Sequence, residues 1–229
     1  MSSSDPTFLV LACLAAFACG SIPFGLLLVK LAGKGDVRAH GSGNIGATNV
    51  SRVGGKGLGL VTLLLDIAKG FLPVFLARQA DGSFALQAAV ALCATAGHVF
   101  TPWLKFKGGK GVATALGAAL AYRAVAVLPS LGIFLLLVAL TRYVSLGSIV
   151  GALMLPVSMG WVRETVHRTE VLGIQLQAGI REQDPWQAIG LWVLIALLVV
   201  AKHHQNIARL FKGTESPLWG AKKGEGPHA

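Results

Sequence analysis

The stretch GLGLVTLLLDIAKGFLPVFLA, residues 57–77, is almost entirely apolar and is interrupted only by Asp66 and Lys69. A helix rises about 1.5 Å per residue, so a helix of this length crosses the ~30 Å hydrocarbon core of a bilayer. Charges at that depth are costly, and residues three apart share one helical face. Asp66 and Lys69 are therefore expected either to form a structural ion pair or to face a polar cavity. This stretch is typical of a membrane protein.

Six further charge-poor runs surround it, at 7–29, 83–100, 111–122, 124–141, 143–162 and 185–201. The composition agrees, with 54% hydrophobic and 13% charged residues and a mean hydropathy of +0.66. These values exclude an ordinary soluble domain and indicate an all-α polytopic membrane protein. We expect residues 1–229 to form a single integral-membrane domain. Run 111–122 is the short one, with roughly 18 Å of helix.

The basic residues indicate whether this short run also crosses. If all seven runs span the bilayer and the N-terminus is outside, fourteen of the 20 Lys and Arg residues are cytoplasmic and Lys69 lies within a span. If run 111–122 does not cross, twelve Lys and Arg residues are cytoplasmic and seven are outside, which is a weaker bias. The positive-inside bias therefore favours seven transmembrane helices and a cytoplasmic C-terminus. The basic residues left outside are Arg78, Arg123, Arg163, Arg168 and Arg181.

The remaining features suggest no cleaved leader, metal or disulfide. The first six residues contain Asp5 but no Lys or Arg, so they lack the basic region of a secretory signal. Cys13, Cys19 and Cys93 are isolated in apolar runs without metal-ligand spacing, so no metal site is expected. The polar segment 163–184 is expected to be an extracytoplasmic loop that has room for a short amphipathic helix. We expect a monomeric chain with no cofactor and no nucleic-acid partner.

Three basic, glycine- or amide-rich stretches follow apolar runs on the same expected side of the membrane. They are GSGNIGATNVSR (41–52), KFKGGKG (105–111) and KHHQN (202–206) with Arg209. Exposed backbone N–H groups and small donors of this kind suit a phosphate. Together they suggest an enzyme that acts on anionic substrates at a bilayer surface.

Each stretch also has a simpler interpretation. GSGNIG matches the dinucleotide-binding pattern, but no strand precedes it, and Gly111 stands where a phosphate-binding P-loop needs Ser or Thr. The glycines are also compatible with a flexible loop or with close helix packing. His98, at the end of an apolar run, fits a capping or packing role as well as a functional one. His203 and Asn206 lie three apart, so an imidazole and an amide would share one helical face.

The motifs together resemble those of one family. GSGNIGATNVSR, GHVFTPWLKFKGGKGVAT (97–114) and HHQNIARLFKGTE (203–215) are similar to motifs of the bacterial membrane glycerol-3-phosphate acyltransferases that use acyl phosphate as donor. SIPF (21–24) and Asp66-x-x-Lys69-Gly70 also match. The resemblance covers nearly the whole chain in order, and segment 163–184 is its main departure.

The resemblance implies transfer of an acyl group from acyl phosphate to the 1-hydroxyl of sn-glycerol 3-phosphate, giving lysophosphatidic acid and phosphate. It implies a multi-pass protein of the bacterial inner membrane with membrane lipids around it and an active site that faces the cytoplasm. The catalytic residues it implies are Ser42, Arg52, His203 and Asn206. The substrate-binding residues it implies are Asn44, Thr48, Asn49, Lys107, Gly108, Gly109, Lys110 and Gly111, with Ser145 and Ser148 as further phosphate ligands.

The proton acceptor is not decided by the motifs. Candidates are His203, Ser42 through a relay, and a substrate phosphate oxygen, whose second pKa of about 6 makes it as basic as imidazole. We favour the phosphate oxygen, with His203 and Asn206 positioning the substrate.

Two other classes of protein share some of these features. A membrane anion transporter would also place basic loops against helices, but it would need polar residues through the midplane, where only Asp66 and Lys69 are found. A lipid-phosphate hydrolase would need a covalent His or a carboxylate cluster for metal, and the motifs contain neither.

Overall fold

A computed structural model describes residues 6–80, 83–171 and 186–219, without the side chains of residues 164–171. All of the regular structure in these ranges is helical, as the sequence predicted. The helices are α1 (Pro6–Ser21), α2 (Phe24–Leu31), α3 (Ala47–Gly54), α4 (Lys56–Ala80), α5 (Phe84–Val99), α6 (Val112–Thr141), α7 (Val144–Val171), α8 (Trp186–Lys202) and α9 (His204–Phe211). Short 3₁₀ turns lie at Val37–Ala39 and Pro102–Leu104.

Five helical segments in the described ranges are long and apolar enough to cross a membrane. They are Pro6–Leu31, Lys56–Ala80, Phe84–Leu104, Val112–Thr141 and Val144–Arg163, and the pair α8–α9, bent by 57°, makes a sixth if it counts as one broken span. The chain is therefore a multi-pass helical membrane protein. The expected number of spans was seven, and the difference comes from runs 111–122 and 124–141, which form the single element α6.

Helix α6 is sharply broken at Arg123, which has non-helical backbone angles (φ −158°, ψ 88°). Near the break, Arg78 at the end of α4 donates to the carbonyl of Ala121, and Arg123 lies over the Phe84 ring at the start of α5. At the far end of α6, the carbonyl of Arg142 accepts from Leu218, which follows α9.

The start of α6 lies at the same end of the bundle as Arg142. Gly111, just before α6, packs beside Val99 and Val199, which are in the last turns of α5 and α8, and α8 leads directly into α9. Both ends of α6 thus lie together, and its middle lies at the opposite end.

Helices α4 and α6 approach closely through glycine. A Cβ on Gly70 would overlap the carbonyl oxygen of Thr114, and a Cβ on Gly117 would overlap that of Ile67. Small residues at such crossings let backbones come together where lipid supplies little drive for association. The largest buried core joins α1 and α4–α8, with Met159 and Trp192 among its largest side chains.

The first apolar run is interrupted between α1 and α2, before Pro23. Proline has no N–H and cannot continue the ladder of the preceding helix, so nearby carbonyls lose their helical partners. Two side chains replace them, because Thr101 Oγ1 donates to the Ser21 carbonyl at 2.7 Å and Lys69 Nζ donates to the Ile22 carbonyl at 2.8 Å.

Of the two arrangements open to Asp66 and Lys69, the structure shows the ion pair, with Nζ 2.7 Å from Oδ1 and both side chains almost fully buried. Lys69 thus neutralises Asp66 while it caps the interrupted helix. The two charges that decide the character of the 57–77 stretch have a structural role within the bundle.

Segment 163–184 was expected to be an extracytoplasmic loop. The structure instead continues α7 as far as Val171. The rest of that expectation, from residue 172 to residue 184, lies outside the described residues.

Candidate active site

The three basic stretches converge on one cavity of about 200 Å³. It lies where α8 bends into α9, beside the loops that precede α3 and α6. Its lining residues are Ser42, Asn44, Phe106, Lys107, Gly108, Gly109, Lys110, Lys202, His204, Gln205, Asn206 and Arg209. The three stretches, which were expected on one side of the membrane, thus lie at one cavity.

The loop before α6 is pinned to the end of α5. The N–H groups of Gly108 and Gly109 donate to the carbonyls of Val99 and His98, both at 3.1 Å. Those carbonyls belong to the last turn of α5 and would otherwise lack partners. The His98 ring also lies directly against Gly109, so that a Cβ at this position would overlap Nε2. Of the two roles open to His98, the structure supports packing behind this loop.

The bend between α8 and α9 buries His203, which is only 2% exposed. Its Nδ1 lies 2.8 Å from the carbonyl oxygen of Val199. A carbonyl can only accept, so the neutral ring carries its proton on Nδ1 and leaves Nε2 as an acceptor. Asn206 follows one turn later, and its Oδ1 is buried without a hydrogen-bond partner among the described residues. Two acceptors are thus available beside the cavity.

Glu215 holds this side of the cavity together. Its Oε1 accepts from Ser145 Oγ at 2.7 Å and from Asn206 Nδ2 at 2.6 Å, and its Oε2 accepts from Arg209 Nε at 2.7 Å. Burial opposes ionisation, but these three donors and the Arg209 charge outweigh it and lower the pKa of Glu215. Glu215 therefore stays ionised at neutral pH and ties α9 to α7.

The cavity wall is strongly basic, with Lys107, Lys110, Lys202 and Arg209 along it. Burial, together with the nearby Arg209 and Arg52, lowers the pKa of Lys110 to about 8, against the opposing effect of Glu215. Lys110 is therefore mainly protonated at neutral pH, and a bound anion would favour its charged form further. The site is built to receive an anion.

The structure divides the predicted site residues into two groups. Those that line the cavity are Ser42, Asn44, Lys107, Gly108, Gly109, Lys110 and Asn206. The other predicted residues lie around the cavity without lining it, and they are Thr48, Asn49, Arg52, Gly111, Ser145, Ser148 and His203.

Three of the second group have their side-chain polar atoms bonded to protein, and a fourth, Arg52, makes one such bond. Ser145 bonds to Glu215, Ser148 Oγ donates to the Val144 carbonyl, and Asn49 is enclosed by the backbone of its own loop. Arg52 is exposed and donates to the Ser216 carbonyl at 3.4 Å. These side chains support the wall of the cavity from behind or from its rim.

Five residues line the cavity although they were not among the predicted site residues. They are Phe106, Lys202, His204, Gln205 and Arg209. Four of them lie in or beside the third basic stretch, which the sequence did single out. The missing information was the 57° bend, because a straight helix would spread residues 202–209 around its circumference. No cluster of three His, Cys, Asp or Glu that could hold a metal ion occurs in the described ranges.

Comparison with known proteins extends these observations. Residues 10–213 match the family model described as glycerol-3-phosphate acyltransferase. A glycerol-3-phosphate acyltransferase of Trichlorobacter lovleyi is 49% identical over 201 residues, covering 88% of this chain and 93% of that protein. One of Geobacter sulfurreducens is 45% identical, with the same coverage of both chains.

Two crystal structures of PlsY (YgiH), an integral membrane glycerol 3-phosphate acyltransferase, have the same fold. The glycerol 3-phosphate form has a TM-score of 0.77 at 34% identity and covers 93% of this chain and 96% of that chain. The lysphosphatidic acid form has a TM-score of 0.74 at 34% identity and covers 91% and 94%.

The charge on Glu215 generates a prediction about stability. Glu215→Gln keeps the size of the side chain but loses the charge-assisted bond to Arg209, so we expect a loss of about 1–3 kcal/mol in the free energy of unfolding. Because the pKa is lowered on folding, the advantage of the wild type is complete above the unfolded pKa of about 4.3 and disappears as the pH falls through the lower folded value.

Thermal unfolding in detergent between pH 7 and pH 3 measures this difference. Asp36→Asn is the matched control, because Asp36 pairs with Arg38 at the surface and should contribute less. A difference between wild type and Glu215→Gln that does not change with pH would contradict the ionised role of Glu215.

Proposed function

Because the chain belongs to the glycerol-3-phosphate acyltransferase family, we propose that it transfers a fatty acyl group from acyl phosphate to the 1-hydroxyl of sn-glycerol 3-phosphate. The products would be lysophosphatidic acid and inorganic phosphate. The observation that carries the proposal is the basic cavity, at which all three motif regions meet at one end of a membrane bundle. The related structures in glycerol 3-phosphate and lysphosphatidic acid forms support the same acceptor and product.

The reaction requires little from the protein beyond positioning. The glycerol 1-hydroxyl oxygen attacks the acyl carbonyl carbon, and the bond from that carbon to the phosphate oxygen then breaks. Phosphate leaves readily, so no covalent enzyme intermediate is needed. Holding two anions in contact and stabilising the tetrahedral oxyanion account for the catalysis. Lys107, Lys110, Lys202 and Arg209 offset the charge of the two substrates in this proposal.

The loop at Gly108–Lys110 is the proposed cradle for glycerol 3-phosphate, and Asn44 lines the same cavity from the loop before α3. Ser42 and Arg52, on the other wall and its rim, are the proposed contacts for the acyl phosphate. The acyl chain would lie in the surrounding lipid or along the helix faces, where each buried methylene contributes about 0.8 kcal/mol.

His203 and Asn206 are proposed to orient the glycerol. Nε2 of His203 and Oδ1 of Asn206 are both acceptors, as the hydrogen bonds of Nδ1 and Nδ2 require. The 2-hydroxyl of the glycerol can donate to one of these acceptors, which leaves the proton of the attacking 1-hydroxyl free to transfer. The attacking hydroxyl then loses its proton to a substrate phosphate oxygen, whose second pKa is about 6.

We further propose that the chain is a single domain of the bacterial inner membrane, with seven spans, an external N-terminus and a site that faces the cytoplasm. The break of α6 at Arg123 supports this number, because both ends of α6 lie at the site end of the bundle. The two halves of α6 would then be separate spans, the first of them short.

The decisive experiment uses purified protein in detergent or nanodiscs with acyl phosphate and glycerol 3-phosphate. We expect lysophosphatidic acid and phosphate to appear in equal amounts, and neither when glycerol 3-phosphate is omitted. Phosphate release without the acceptor would support the lipid-phosphate hydrolase instead. No turnover with acyl phosphate, but turnover with another acyl donor, would contradict the proposed donor.

Gly109→Ala tests the proposed cradle in the same assay. The added Cβ meets the His98 ring, so the loop must shift, and we expect the KM for glycerol 3-phosphate to rise about tenfold or more. The matched control is Gly190→Ala in α8, where a Cβ has open space and the KM should not change. An unchanged KM in folded Gly109→Ala would remove the cradle assignment.

His203→Gln and His203→Ala separate positioning from proton transfer. Glutamine can accept a hydrogen bond but cannot act as a base at neutral pH. If His203 positions the substrate, His203→Gln should be at least about tenfold more active than His203→Ala and keep the wild-type pH profile. Equal and near-complete inactivity of both variants, with substrate binding intact, would instead favour His203 as the base.

Single cysteines in a background without Cys13, Cys19 and Cys93 test the topology. With a membrane-impermeant maleimide on intact cells, positions 34, 142 and 213 should be protected and position 83 should be labelled. Position 142 is the most informative, because it would be external if α6 crossed only once. Its labelling from outside would contradict the seven-span arrangement.

A further inference from the structure

Asn49, in the first turn of α3, is 2% exposed and does not line the cavity. Its side chain instead lies beneath the loop that connects the Val37–Ala39 turn to α3. This loop carries Ser42, which is exposed and lines the cavity. The question is what a buried carboxamide does directly behind that wall.

The carboxamide of Asn49 makes four hydrogen bonds, all of them to the backbone. Its Oδ1 accepts from the N–H of Ser42 at 2.8 Å. Its Nδ2 donates to the carbonyls of Val37 and His40 at 3.1 Å and of Asn44 at 2.9 Å, with one of its two N–H groups shared between two carbonyls. These partners come from both arms of the loop, before and after Ser42. One side chain therefore sets the path of the chain on both sides of that residue.

This hydrogen-bond pattern fixes the orientation of the carboxamide. The Ser42 N–H can only donate and the three carbonyls can only accept, so a flipped side chain would lose every bond. The residue before Ser42 must also be glycine, since Gly41 has a positive φ of 61° and a Cβ there would overlap Oδ1 of Asn49. The loop and the carboxamide are mutually specific.

The packing of α3 does not depend on these bonds. Val50, the next residue, is fully buried in a separate apolar cluster with Leu26, Val29, Val37, Ile45 and Leu104. The first turn of α3 is closed by backbone bonds from Asn49 and Val50 to the Gly46 carbonyl. The hydrogen bonds of Asn49 and the apolar contacts of Val50 are therefore made by different side chains, so a substitution can remove one set without deleting the other.

We propose that Asn49 is a positioning residue that places Ser42 for acyl transfer by hydrogen-bonding the backbone on both sides of it, and that it does not bind substrate. This inference rests on the function proposed above and reassigns Asn49 from the ligand contacts. It predicts that loss of the carboxamide affects the rate of transfer, while affinity for glycerol 3-phosphate, held by the separate Gly108–Lys110 loop, changes little.

Asn49→Asp is the sharpest test, because aspartate has the same shape and still accepts from the Ser42 N–H. It cannot donate to the three carbonyls and instead repels them. We expect kcat to fall about ten- to a hundredfold, with the KM for glycerol 3-phosphate within about threefold of wild type. Gly41→Ala perturbs the same contact from the other side. It should likewise lower kcat while the KM for glycerol 3-phosphate stays close to that of the wild type.

Val50→Ala is the matched control. It removes buried volume from α3, next to Asn49, without removing any bond of the loop. We expect a lower melting temperature with a kcat within about threefold of wild type. If Val50→Ala lowers kcat as much as Asn49→Asp, general loosening of α3 explains the loss and the proposal is wrong.

A double-mutant cycle tests whether Asn49 acts through Ser42. In a Ser42→Ala background, Asn49→Asp should lower kcat by a further factor of less than about three, because the hydroxyl that Asn49 positions is already absent. If the loss of kcat in the double variant equals the product of the two single losses, Asn49 acts by another route and the proposal is wrong.

A measurement without substrate separates this inference from the proposed function. Hydrogen–deuterium exchange of the 40–46 segment should be clearly faster in Asn49→Asp and Gly41→Ala than in wild type and Val50→Ala. Unchanged exchange in both variants would overturn the positioning role whether or not the protein is active. If the two variants exchange faster but the wild type shows no acyl transfer, the role of Asn49 in the loop stands and only the proposed reaction is removed.

Discussion

The structure depends on one constraint: backbone groups freed at helix breaks inside or beside the membrane must find partners within the protein. An unsatisfied carbonyl in that environment costs several kcal/mol, because no water replaces the lost bond. At the interruption before Pro23, Lys69 and Thr101 supply the missing donors. The ion pair with Asp66 makes this possible, since an unpaired lysine at that depth would itself be unstable.

The same constraint shapes the candidate active site. The carbonyls at the end of α5 are satisfied by the N–H groups of Gly108 and Gly109, so the end of a helix determines the path of the proposed cradle. At the end of α8, the carbonyl of Val199 bonds His203 and thereby selects its tautomer. The site is thus a set of helix ends whose caps are the motif residues. This explains why so many polar motif residues bond to protein, although their sequence pattern predicts contacts with a phosphate ligand.

Two carboxyl or amide side chains carry most of this organisation, Asn49 for the loop before α3 and Glu215 for the wall formed by α7 and α9. Each binds three or more groups from different parts of the chain. Such side chains define a cavity without entering it. Ser42, Lys110 and Asn206 line the cavity itself, and the Oδ1 acceptor of Asn206 has no partner among the described residues.

Much of the fold and part of the site could be predicted from the sequence. Apolar runs of membrane length predicted the helices, and the spacing of Asp66 and Lys69 placed both on one helical face, because both follow from the rise and pitch of a helix. The motif loops predicted an anion site because their composition exposes N–H groups and positive charge. What the sequence did not show was direction, meaning which way each polar side chain points once the loop is folded.

The amino-acid sequence by itself determined the class of protein, its helical spans, its family resemblance and the chemistry of the three loops. Only the tertiary structure decided that Asn49, Ser145 and Ser148 bond to protein while Lys202 and Arg209 reach the cavity. It also decided that α6 turns back at Arg123. The physical reason is that composition and periodicity act locally, whereas a helix bend or a side-chain cap is chosen by which distant backbone groups lack a partner.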